Sequence, residues 1–153
     1  MANGYIHRSV GAASGTILAT ARARAFGQPR AAVVLEGLGG CIGGVIGGGL
    51  PDWIEPATWP GHRSFFHSLL VGGVAATTAM DTLTRWESFC REKAEAARVR
   101  RRAVDANEWQ SICNWIVALL WQIAAGFFAG LLGGYGSHLV LDFVTPASLP
   151  LIA

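Results

Sequence analysis

The chemistry available to this chain is concentrated in its four histidines and a few carboxylates. His138 and Asp142 stand four residues apart in SHLVLD, so on a helix both project from one face and can grip one ion. HRSFFHS carries His62 and His67, and PDWIEP carries Asp52 and Glu55 at the end of an apolar run. His7 is the remaining histidine. Each motif alone has an ordinary explanation. A polar pair one helical turn apart is common, Pro and Asp stop helices for backbone reasons, and a histidine near a terminus is most simply a surface or capping residue. Their conjunction is more informative, because imidazole and carboxylate together suit zinc, and also manganese or iron.

Something must bring these distant residues together. Four apolar segments are apparent: residues 6–21, rich in small residues; 31–50, with Glu36 as its one charge; 65–80; and a long run from about Ile112 through Val144. Spanning a bilayer takes about 20 apolar residues on a helix. The second and fourth segments reach that length, the third is marginal and the first is weak. The chain is 52% hydrophobic and only 14% charged, against roughly 25% charged in ordinary globular proteins. Lipid as the solvent for the outer face accounts for that shortfall. A soluble helical protein is the alternative, but 153 residues would struggle to hide so much apolar surface.

Gly39, Gly43 and Gly47 recur at every fourth position and line one helix face, where small residues let backbones approach. The expectation is an all-α fold: one domain over residues 1–153, a compact membrane-embedded bundle of about four helices. The charged stretch from Asp81 to Trp109 is expected to extend into water as a helical loop, with Glu87 and Arg91 as an exposed i,i+4 pair and a turn near Ala106–Asn107. Cys41, Cys90 and Cys113 are odd in number and widely spaced, which speaks against a disulfide framework. The opening residues do not resemble a removable signal peptide.

Charge placement supplies an orientation. If the four segments cross alternately, only Arg8 and Arg63 of the 12 Lys and Arg residues fall on one side. The RVRRR run and the remaining basic residues fall on the other, which should therefore be cytoplasmic. A nucleic-acid or anionic-lipid patch is a rival reading of the run. The basic-poor side collects His7, Asp52, Glu55, His62, His67, His138 and Asp142. Ionisable groups at membrane depth are costly and point to function. Glu36 belongs to the opposite half, where an ion pair with Arg30 or a neighbouring arginine is expected.

PDWIEP, HRSFFHSLL and GYGSHLVLDFVTPAS, together with the early histidine, resemble the YdjM family of LexA-regulated, inner-membrane metal-dependent hydrolases. The resemblance covers most of the chain in order and spacing. It departs at Glu55, where the family usually has Asp, and at Ala147-Ser148, where a Gly is usual. It implies a helical fold distantly similar to zinc-dependent phospholipase C, with His7, Asp52, His62, His67, His138 and Asp142 as metal ligands. Six ligands suffice for two ions, zinc foremost, with manganese or iron as alternatives. The expected activity is hydrolysis of a phosphoester, lipid or lipid-linked, by metal-activated water. Arg63 would steady the developing charge, and Asp52 or Glu55 would serve as general base. Membrane lipids are the expected surroundings, and nucleic acid is not an expected partner. Two other classes use the same residues differently: a non-enzymatic membrane protein that binds or transports metal, and a structural membrane protein in which the motifs only cap helices.

Overall fold

The computed structural model describes residues 4–54, 69–103 and 107–144, and among these it contains four α-helices and no strand. They are α1 (Gly4–Ala25), α2 (Arg30–Ile54), α3 (Leu69–Arg101) and α4 (Glu108–Phe143). The compact all-α bundle expected from the sequence is present.

Local chemistry sets the helix boundaries. At the end of α1, Gly27 adopts φ 67°, a left-handed conformation open to a residue without Cβ. Its amide donates to Arg24 O at 2.9 Å and the Gln28 amide donates to Ala23 O at 3.0 Å. This is a Schellman closure, with Pro29 following to prevent continuation. The chain reverses at once into α2. Asn107 starts α4 through a reciprocal capping box: the Gln110 amide donates to Asn107 Oδ1 at 2.8 Å, and the Asn107 amide donates to Gln110 Oε1 at 3.2 Å. That cap sets the start of α4 at Asn107, while residues 104–106 of the expected turn lie outside the described residues. Pro51 lies inside the last turn of α2, so this helix runs through the proline and ends at Ile54.

Helix directions follow from who meets whom. Along α2, Gly39, Gly43 and Gly47 meet Ile123, Phe127 and Leu131 of α4 in rising order, so α2 and α4 run parallel. Gly40, Gly44 and Gly48 meet Gly15, Gly11 and His7 in falling order, so α1 runs antiparallel to both. α2 thus carries two glycine stripes on adjoining faces, of which the sequence pattern had shown only the first. Added Cβ atoms would strike neighbouring backbone at these positions, so the three helices touch main chain to main chain.

α3 packs against α4 in the antiparallel sense through aromatic contacts, Trp86 with Phe128 at 6.0 Å and Phe89 with Trp121 at 5.7 Å between ring centroids. No backbone packing of α3 on α1 or α2 occurs among the described residues. Side chains bridge that gap. Arg91 donates to Glu36 on α2 through Nε at 3.0 Å and Nη2 at 2.6 Å, and Nη2 also reaches Glu87 at 2.6 Å. Glu87 in turn accepts from Arg22 Nε of α1 at 2.8 Å. Gln122 of α4 donates to Glu36 at 2.5 Å and accepts from Arg98.

One expectation is corrected here and another is made specific. Glu87 and Arg91 are not a solvated surface pair: both are buried, together with Cys90, Ala94 and Ala97 on the same face. The stretch expected to extend into water therefore lies partly along the bundle, because α2 and α4 offer it a carboxylate and an amide. The ion pair expected of Glu36 with an arginine is present, and its partner is Arg91, 55 residues away in sequence.

Several polar side chains are buried among small apolar ones, while many large apolar side chains are exposed. The largest fully buried side chains include His138, Gln122, Glu36, Glu87 and Asp142. Val34, Leu38 and Ile42 instead form an outward stripe on α2, each more than half exposed. α2 and α4 are each long and apolar enough to cross a membrane.

Candidate metal centre

One end of the bundle gathers the start of α1 and the ends of α2 and α4. The antiparallel arrangement of α1 and α4 sets His7 beside the last turns of α4, where His138 and Asp142 share a face as their spacing required. The imidazoles of His7 and His138 stack, with centroids 4.0 Å apart and planes inclined by 27°. His7 Nε2 lies 3.4 Å from Asp142 Oδ1, and His138 Nε2 lies 3.3 Å from Asp142 Oδ2. Ligating atoms of these three buried residues all fall within 4.8 Å of one another. Asp52, near the end of α2, places Oδ1 at 3.7 Å from His138 Nε2 and remains 45% exposed in its side chain.

A fourth contact decides the chemistry of His138. Its Nδ1 is 2.7 Å from the carbonyl oxygen of Gly48. A carbonyl only accepts, so Nδ1 carries the hydrogen and Nε2 is the atom turned towards the carboxylates. In the neutral ring Nε2 is a bare lone pair facing anionic oxygens, which is favourable only if a cation lies among them. In the imidazolium it is a donor to Asp142. Backbone-held Nδ1–H with Nε2 aimed at a cluster of donors is the usual arrangement of a metal-ligating histidine. The donor set of two imidazoles and a carboxylate therefore fits a borderline divalent ion such as zinc.

The glycine stripe contributes directly. Gly48 packs against His7 O of α1 while its own carbonyl accepts from His138, so a single turn of α2 supports ligands from two other helices. Arg8, the residue after His7, lies over Trp53 at 5.2 Å from the ring centroid and adds a cation at this end. The charge distribution along the sequence already placed Arg8 on the side of the ligands, without a role in the site.

Of the residues expected to form the site, His7, His138 and Asp142 come together and Asp52 lies at their edge. Glu55, His62, Arg63 and His67 lie outside the described residues. His7 is buried, so the simple surface or capping role does not apply to it.

No family model, curated protein or solved structure matches the chain.

Proposed function

We propose that the protein is a membrane-embedded hydrolase dependent on a divalent metal, zinc foremost, acting on a phosphoester. The observation that carries this reading is the convergence of His7, His138 and Asp142 from two helices within 4.8 Å, with the His138 tautomer set by Gly48. Membrane embedding is supported by the many large apolar side chains on the outside, Val, Leu, Ile and Trp among them, and by the length and apolar character of α2 and α4. The basic residues at the opposite end support a site on the non-cytoplasmic side of a bacterial inner membrane.

In this reading His7, His138 and Asp142 hold the ion, with Asp52 able to join them. A second ion would draw on His62 and His67, with Glu55 beside them in sequence. Connectivity favours this. α3 begins at Leu69, two residues after His67. From Trp86 back to Leu69 is about 25 Å of helix, and from its partner Phe128 on to Asp142 is about 21 Å. Since α3 and α4 are antiparallel, α3 starts level with the cluster. A bound divalent ion supplies Lewis acidity towards a phosphoryl oxygen and lowers the pKa of water. The chain's own groups do the rest. Gly48 holds the His138 ring in orientation, exposed Asp52 accepts a proton at Oδ1, and Arg63 or Arg8 meets negative charge on the substrate. The same motifs that resemble the YdjM family contribute these residues, and a lipid or lipid-linked phosphate matches a site at the lipid boundary.

A metal transporter would use the same donors but needs a route through the bundle. Glu36 is the one carboxylate within α2's apolar run, and it is engaged by both nitrogens of the Arg91 fork, which leaves it a poor stepping stone for a cation.

The test is metal content and phosphodiester turnover of purified protein loaded with zinc or manganese. Wild type should retain metal and turn over a generic phosphodiester. His138→Ala and Asp142→Asn, with helicity unchanged, should weaken metal binding by at least the 10- to 100-fold seen when supporting groups are lost, and turnover should vanish with it. Metal retention without turnover in wild type would favour binding or transport. Wild type that takes up no metal would sink both readings.

A further inference from the structure

The bundle end remote from the histidines holds a feature that the hydrolase reading does not use. A cavity of about 570 Å³ opens between the last turn of α3 and the first turns of α2 and α4. Arg98, Arg101, Arg102 and Ser111 line its polar side, and Leu35, Trp115 and Leu119 are among the apolar residues on the other. No lining residue is acidic among the described residues.

Arg98 and Arg101 in the last turn of α3, with Arg102 just beyond it, have a simpler explanation, since cations favour a helix C-terminus. That explains their sequence position but not the cavity. Arg98 is held from two sides, by Glu95 at 3.0 Å and by Gln122, so its guanidinium is fixed at the wall. Arg101 and Arg102 are exposed at the mouth. The first turn of α2, represented by Ala31 and Ala32, adds a helix N-terminus, whose amides favour anions.

We infer that this cavity binds the phosphate headgroup of an anionic phospholipid, with the arginines and Ser111 on the phosphate and Leu35, Trp115 and Leu119 along the upper acyl chain. Charge complementarity selects the headgroup, and the apolar wall selects a lipid over a free anion. Its place at the basic end matches the cytoplasmic leaflet, where anionic lipids attract clustered arginines next to spanning helices. The inference rests on the membrane reading but not on the hydrolase reading.

The experiment uses full-length protein in mild detergent. Binding of phosphatidylglycerol and phosphatidylcholine is followed by native mass spectrometry and by the shift in Tm, with inorganic phosphate and a short oligonucleotide as further ligands. Phosphatidylglycerol alone should bind and raise Tm. Arg101→Gln with Arg102→Gln should weaken that binding about 30-fold, at about fivefold for each charge removed. Arg85→Gln with Lys93→Gln, elsewhere on α3, should leave it unchanged. Equal weakening by both pairs would reduce the effect to net charge and overturn the site. So would stabilisation by inorganic phosphate or oligonucleotide that matches the lipid's. Protein that stays dispersed without detergent would overturn the membrane reading and this inference together, whereas lipid-indifferent protein that needs detergent would overturn this inference alone.

Discussion

Arg91→Met should lower stability by about 3–5 kcal/mol, the usual consequence of removing one partner from a buried ion cluster. Arg91 is the only cation contacting Glu36 among the described interactions, and Glu36 is fully buried. Glu87 would keep Arg22, at 2.8 Å, but the two carboxylates would then share one guanidinium held mainly at Glu87. Methionine fills much of the volume, so the loss reports the stranded charge more than a cavity. Adding Glu36→Gln should restore a large part of the loss, because it removes the orphaned charge and keeps an amide for Gln122. Equilibrium unfolding in mixed micelles, followed by tryptophan fluorescence, measures both. A loss under about 1 kcal/mol in the single variant would mean that the cluster is solvated and does not tie α3 to the other helices.

Gly44→Val should be comparably damaging, at or beyond the upper end of the 1–3 kcal/mol typical of overpacking. A Cβ at Gly44 would strike the carbonyl oxygen of Gly11 and lie 3.1 Å from the Ala12 Cα. Both obstacles are backbone, so no rotamer change relieves them and α1 must retreat from α2. One turn further along, Gly48 supports His7 and His138, so metal retention should fall together with the unfolding midpoint. Gly136→Ala is the matched control: nothing lies within 4 Å of its new methyl, and helix propensity alone should make it neutral or up to about 1 kcal/mol more stable. Equal unfolding midpoints for the two variants would refute close backbone contact as the basis of the packing.

The sequence made the site's logic clearer than the bundle's. His138 and Asp142 could be paired from a four-residue spacing because helical geometry alone sets it. Gly39, Gly43 and Gly47 were likewise legible as a packing face. Gly40, Gly44 and Gly48 have the same period but sit among so many glycines that only a partner helix separates the two stripes. His7 carried no local signal. Its burial comes from α1 running antiparallel to α4, a relation fixed by the Gly27 reversal and by backbone contact across α2. Glu87 and Arg91 misled for the opposite reason. An i,i+4 charge pair has the same sequence appearance on a wet surface and in a buried network, and Glu36 and Gln122, which decide the matter, are remote in the chain. Their lone polar character inside apolar runs was the hint.

Main chain lying on main chain between α1, α2 and α4 also limits how far the centre can breathe. Side chains that ordinarily lie between helices can change rotamer as the helices shift, and here all three seams lack them at the glycine positions. The grip formed by His7 on one helix and His138 with Asp142 on another can then neither widen nor narrow appreciably. For the proposed metal centre, ionic radius would then be the sorting variable: a small ion satisfied by donors near 2.0–2.2 Å would suit such a jaw, while calcium, with six to eight oxygens at 2.3–2.6 Å, would not.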